Sequence, residues 1–201
     1  MKILNLIWII TLIIDNMLPL ALARFYPNYS HKDMALSVLG SRQSPVKWVY
    51  NAWCIVSGVV FCIAPYAFYQ VNSGGLAVAI LILLAMYGIG CEIVSGFCPL
   101  NENRQEEDAI TKIHGVASAI GFMTLLVVPL LMAILQFQVS EVAFGLISIL
   151  CFVVAFVFFC FFIMGEKEMF ATTVLRYGGL WQRLVLVCCY VPLFVWCVIQ
   201  I

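Results

Sequence analysis

The sequence predicts an all-α, polytopic integral membrane protein built as a six-transmembrane-helix bundle, on three observations. Sixty-five per cent of the 201 residues are hydrophobic and 10% are charged, against about 45–50% and about 25% in soluble domains. The apolar residues fall in continuous runs without the alternation of a barrel strand, which needs only about ten residues per crossing. Six of these runs suit a helix of about 20 residues crossing a hydrocarbon core roughly 30 Å thick.

The first span is read near 3–23 and carries Asp15 and Asn16 ahead of Pro19. A rival reading makes it a cleavable leader, with Lys2, an apolar stretch to Ile14 and Ala21-Leu22-Ala23 as the cleavage site. Cleavage would export the basic loop from Arg24 to Lys47, against the charge distribution. In loop 24–46, Ser30-His31-Lys32-Asp33 resembles a capping box, and Met34, Leu36, Val38, Leu39 and the stop signal Gly40 predict a short interfacial helix over 31–39. Ser44-Pro45 then offers an N-cap and a first-turn proline for the second span, near 47–70, with Trp48 and Tyr50 at interfacial depth.

Tight links at 71–73 and 138–140 pair span two with span three, near 74–98, and span four, near 112–137, with span five, near 141–164. Between the hairpins, Asn103 is expected to cap a helix with Glu106, Glu107 and Asp108 in its first turn, so that span four begins in water near Arg104. Loop 165–183 is expected to extend span five past the lipid until Gly178-Gly179 break it before Trp181. Span six follows near 184–201. With no linker, low-complexity tract or repeat, the chain reads as one domain over 1–201, without the repeats of many transporters.

Charge sets the orientation. The three long loops hold Arg24, Lys32, Arg42, Lys47, Arg104, Lys112, Lys167, Arg176 and Arg183, and the other side holds only Lys2. The positive-inside rule then places the long loops in the cytoplasm of a cell membrane, with both termini outside. Zero net charge gives no reason to expect a nucleic-acid partner. The nine cysteines lie in or beside apolar segments without C-x-x-C spacing and read as small apolar fillers.

Polar residues inside the spans are few, and the candidate site is built from them: Asp15, Asn51, Ser57, Glu92, Ser95, His114 and Ser118. Measured from the long-loop end at about 1.5 Å per residue, Asp15 lies roughly 12 Å deep, Glu92 and Ser118 roughly 9 Å, Asn51 roughly 6 Å and His114 roughly 3 Å. His114, Ser118 and Gly121 share one helix stripe, and Gly88, Glu92 and Ser95 share another. An ionisable side chain facing lipid costs about 2.5–3.5 kcal/mol, so a common polar pocket is expected. The bland readings are an Asp15-Asn16 pair serving backbone opened by Pro19, and a Glu92–His114 clasp between helices. No metal site, cofactor, Walker sequence, G-x-S-x-G or H-E-x-x-H is expected.

Beyond single residues, Leu39-Gly40-Ser41-Arg42-Gln43-Ser44-Pro45-Val46-Lys47-Trp48 through Asn51, Tyr87-Gly88-Ile89-Gly90-Cys91-Glu92-Ile93-Val94-Ser95-Gly96-Phe97-Cys98-Pro99, Glu106-Glu107-Asp108, Lys112-Ile113-His114-Gly115 to Gly121-Phe122 and Gly179-Leu180-Trp181-Gln182-Arg183 together resemble bacterial membrane proteins of the family called domain of unknown function 998. The resemblance spans nearly the whole chain and implies no established activity. More distantly, the glycine-rich span ending in Gly-Phe-x-Pro and the helix opening with His-Gly are similar to the Frag, DRAM and Sfk membrane proteins. That similarity implies lipid handling, carried by Glu92, Pro99 and His114.

Three functions are compatible with this reading. The first is binding of a lipid headgroup or small amphiphile from the inner leaflet, with Asn51, Ser95 and Ser118 in the pocket and Arg42, Lys47, Arg104 or Arg183 placed for an anionic group. Membrane lipids are then the partners, besides any second copy or other membrane protein. The second is an intramembrane lipid hydrolase or transferase with His114 as general base, oriented by Glu92 or Asp15. The third is a small transporter in which Glu92 carries protons.

Overall fold

The computed structural model describes residues 1–102 and 108–201. Among these, six helices are long and apolar enough to cross a membrane: α1 (Lys2–Phe25, ending in a 3-10 turn), α2 (Lys47–Asn72), α3 (Gly74–Phe97), α4 (Ala109–Gln138), α5 (Val142–Gly165) and α6 (Gly178–Ile199). The described residues contain no strand. Each helix packs on its neighbours in sequence and α6 returns to α1, so the spans close a ring that α4 and α6 also bridge across. Ser73 and Ser140 take positive φ, 38° and 64°, in the tight links after α2 and α4. Lys2 Nζ reaches the Ile201 carbonyl, which puts the two ends of the ring at the short-link end.

What holds the bundle changes along its axis. Toward the short links, Trp8, Phe61, Phe68 and Trp196 interlock, with Trp8 edge-on to Phe61 at 6.4 Å and Phe68 4.9 Å from Trp196. Toward the long loops, glycines bring backbones together, as small residues do where lipid offers no hydrophobic drive. A Cβ on Gly58 would lie 2.5 Å from the Gly88 carbonyl, and one on Gly90 would lie 2.5 Å from the Ala117 carbonyl. This contact locks α3 between α2 and α4. The outward face of α5, the most apolar span (mean hydropathy 3.1), exposes Leu146, Leu150, Val153 and Phe156 as a lipid-facing surface.

Several boundaries differ from expectation, each for a local reason. Asp33 N–H donates to Ser30 Oγ at 3.3 Å as a capping box would, yet no helix follows over 31–39. The backbone groups it would use are bonded to α6 instead: Lys32 O accepts from Leu180 N, and Leu36 N donates to Gln182 Oε1 at 2.8 Å. A 3-10 turn at Leu36–Gly40 is what forms. Gly178-Gly179 begin α6 rather than break α5, because only a glycine lets the carbonyl of Met34 approach, 2.2 Å from a Cβ at Gly179. α5 stops at Gly165, where the returning chain brings Leu175 O to 2.3 Å of a Cβ position. α2 begins at Lys47 rather than at Pro45, although Ser44 Oγ still accepts from Val46 N. Asp108 is itself the N-cap of α4, accepting from Thr111 N at 2.9 Å. The expectations placed on Asn103, Arg104, Glu106 and Glu107 lie outside the described residues.

Candidate functional site

The long-loop half of α3 departs from α geometry. Gly88–Val94 is a π-helical segment, the wider turn often found at functional sites, and Glu92 sits inside it. Its glycines explain why it is tolerated: Gly88 and Gly90 bear no side chain to collide with Gly58 or Ala117 as the turn widens. The segment directs Glu92 into a cavity of about 80 Å³ between α2, α3, α4 and α6. Asn51, Ser95, His114 and Ser118 line the same cavity, with Tyr50, Tyr87, Gln182 and, from the first loop, Ser37. The Ser95 and Ser118 hydroxyls are 2.9 Å apart, joining α3 to α4.

Asp15 lies beyond the cavity wall but is wired to it. Its carboxylate accepts from Trp53 Nε1 at 2.7 Å, Ser57 Oγ at 3.0 Å and Tyr190 Oη at 3.1 Å. Tyr190 Oη is 2.6 Å from Tyr87 Oη, and Tyr87 Oη is 2.8 Å from Glu92 Oε1. A continuous chain of hydrogen bonds therefore runs Asp15, Tyr190, Tyr87, Glu92. Asn16, by contrast, donates to Leu12 O on its own helix at 2.8 Å, one turn back. Counting only ionisable and small polar residues misses Trp53, Tyr87 and Tyr190. The available signal was that a tyrosine or tryptophan inside a span must find a partner for its polar tip.

His114 is buried with the cavity on one side and, on the other, a hollow of about 590 Å³ under the loops that Ser37 and His114 also line. Its Nδ1 faces the Cys98 carbonyl at 2.8 Å. A carbonyl only accepts, so Nδ1 carries hydrogen and the ring's other nitrogen is the basic one in the neutral tautomer. His114 and Glu92 thus share a wall while each is bonded elsewhere. Among the described residues no three His, Cys, Asp or Glu side chains are grouped to hold a metal ion.

The cationic candidates separate into two groups. Arg183 directs its guanidinium to His31 O (2.9 Å), Met34 O (3.2 Å), Gly179 O (2.7 Å) and Tyr29 Oη (2.6 Å), fastening the first loop over the cavity. Burial and the neighbouring guanidinium hold His31 below its ordinary pKa. Arg42 pairs with Asp108 at 2.5 Å, and its N–H donates to Leu100 O, tying the first loop to the second. The Thr111 N–H and then Arg42 pull the Asp108 carboxyl down to about 2. Tyr26 reinforces this latch by donating to Glu102 at 2.7 Å, and burial and that carboxylate raise its phenol to about 12.

Arg42 and Lys47 also border a groove of about 390 Å³ between α2 and the end of α3, walled by Trp48, Ile55, Phe97 and Pro99. Asn51 lines this groove as well as the inner cavity, its Nδ2 donating to Gly40 O at 3.0 Å.

A family model described as "Protein of unknown function (DUF998)" matches residues 9–199. The chain belongs to this family. The match runs from α1 to α6, so in this DUF998 protein Asp15, Glu92, His114 and Tyr190 all lie within the shared region. No curated protein and no solved structure matches the chain.

Proposed function

We propose that this membrane protein binds a lipid or small amphiphile at its long-loop end, in the cytoplasmic leaflet that the loop charges indicate. The observation carrying the reading is that Asn51, itself buried, lines both an interfacial groove and a polar cavity. The groove has the two-sided character of an amphiphile: Arg42 and Lys47 at its polar end, Trp48, Ile55 and Phe97 along its apolar walls. Trp48 and Phe97 are highly exposed, as side chains at the headgroup level are. Lys47 donates one hydrogen to Arg42 O at 2.7 Å and has others for a phosphate oxygen. The similarity to Frag, DRAM and Sfk proteins points the same way. Arg183 serves this reading by holding the loop over the cavity rather than by meeting the ligand.

Mass spectrometry of lipids retained by protein purified in mild detergent tests the proposal. Enrichment of a phosphate-bearing lipid over the bulk membrane is expected, with loss of enrichment in the Arg42→Ala, Lys47→Ala double variant. An unenriched profile, or one the double variant leaves unchanged, would falsify the groove assignment.

A second reading rests on His114. An imidazole with its Nδ1 hydrogen held by a carbonyl and its basic nitrogen fixed by that bond is oriented as a general base, which suits hydrolysis or transfer on a bound lipid. It requires turnover that His114→Ala abolishes while lipid retention persists.

A further inference from the structure

The cavity behind Asn51 has a chemistry distinct from the groove. Among the described residues no lysine or arginine lines it. Its polar wall is Glu92 with the His114 imidazole, the phenols of Tyr50 and Tyr87, and hydroxyl and amide groups from Ser37, Asn51, Ser95, Ser118 and Gln182. At about 80 Å³ it holds a few waters or one small polar group, since one water needs roughly 10–15 Å³ of such volume. Acceptors surrounding a carboxyl with no resident cation suit a small positive group that carries hydrogens of its own.

The hydrogen count along the chain behind Glu92 shows how the acid can meet such a group. Three contacts need three hydrogens: Asp15 to Tyr190, Tyr190 to Tyr87, and Tyr87 to Glu92. The two phenols supply two, and an ionised carboxylate supplies none. If both acids were ionised, each phenol would donate to its own carboxylate, and two lone pairs would face each other across the 2.6 Å between Tyr87 and Tyr190. The third hydrogen therefore comes from one of the carboxyls, and it can sit at either end. Asp15 has two further donors, Trp53 and Ser57, which favour its ionised form. Before any cation binds, the hydrogen rests on Glu92.

We propose that the cavity is a site for a primary ammonium group with Glu92 as its counter-ion, and that Tyr87 and Tyr190 relay the Glu92 proton to Asp15 when the ammonium enters. The transfer is balanced. Glu92 gives its hydrogen to the Tyr87 oxygen, Tyr87 passes its own to Tyr190, Tyr190 passes its own to the Asp15 carboxylate, and one proton has moved with none gained or lost. The groups facing this path are Tyr50, Trp53, Cys54 and Ser57 from α2, Cys91 from α3, His114 from α4 and the phenol of Tyr190 from α6, none of them a permanent cation. The site shares Asn51 with the groove but does not need it. The ammonium can belong to a free small amine or to an aminolipid headgroup.

Methylammonium chloride added to purified protein in detergent is the probe, with sodium and potassium chloride as controls. A saturable rise in thermal midpoint with methylammonium alone is expected, absent in Glu92→Gln. Weakening by roughly tenfold, the size of one charge-assisted hydrogen bond, is expected in Tyr190→Phe, which leaves Glu92 in place. Infrared difference spectra read the relay directly: a protonated-carboxyl stretch in the empty protein that Glu92→Gln removes, replaced on binding by one that Asp15→Asn removes. A response equal for all three salts, one that survives Glu92→Gln, or an empty protein without the carboxyl band overturns the proposal. These readouts stand even if Arg42 and Lys47 prove irrelevant to lipid. Competition by phosphatidylethanolamine but not phosphatidylglycerol supports the site with a headgroup as its ammonium source, and absence of competition supports it with a free amine.

Discussion

The two ends of the bundle are packed by different means. Near the short links, Trp8, Phe61, Phe68 and Met132 are fully buried and fill space as an ordinary core does, with only a few polar side chains such as Asn5 and Gln136 among them. Near the long loops, contact is made by glycine against backbone and by hydrogen bonds among Asp15, Ser57, Tyr87, Glu92, Ser95, Ser118 and Tyr190. The first end needs volume and the second needs position. Stability and binding should therefore respond to different substitutions.

The largest effect is expected where position is strictest. Gly58→Leu forces a side chain into the Gly88 carbonyl and Glu92, so no monodisperse protein should elute on size-exclusion chromatography. Gly115→Ala, with nothing near its Cβ, should elute as the parent does. Normal behaviour of the Gly58 variant would break the contrast. Next, Phe68→Ala at the aromatic end should lower stability by about 3–5 kcal/mol in denaturant titrations, with lipid retention kept by the folded fraction. Ser95→Ala should do the reverse, costing about 0.6 kcal/mol while weakening what the cavity retains.

The smallest effect concerns the loop latch. Because the Asp108 carboxyl is pulled from 3.8 to about 2, the stability it contributes is fully present above pH 3.8 and is lost as pH falls through about 2. The thermal midpoint of wild type minus Asp108→Asn should be constant from neutral pH to about 4 and shrink below it. A difference that shrank near neutrality instead would remove Asp108 from the latch.

The sequence made the spans legible because hydropathy reports on lipid, which is the same for every helix. It also brought Glu92, Ser95, His114, Ser118 and Asn51 into one leaflet, since helical rise is fixed and each occupies a known place along it. The loop could not be read from local propensity. The capping pattern at Ser30 is real, but Arg183 and Gln182, some 150 residues away in sequence, claim the carbonyls and amides that a helix over 31–39 required. For the same reason, tertiary contact turned Gly179 from an apparent helix breaker into the first turn of α6. The link from Asp15 to Glu92 was hidden because tyrosines in apolar runs look like filler until a partner is seen.

The wide turn at Gly88–Val94 has a consequence for how such chains are compared. A π segment holds one residue more than the α turns it replaces. Deleting Ile93 would let α3 close to regular winding with the helix on either side kept in register, so that the residues inside the segment, Glu92 among them, turn relative to the rest. Such a chain would keep its span count and hydropathy profile almost unaltered, yet present its acid to different neighbours. Two homologues can therefore agree in every plot of apolarity and still differ, through one inserted residue, in whether an acid reaches the interior.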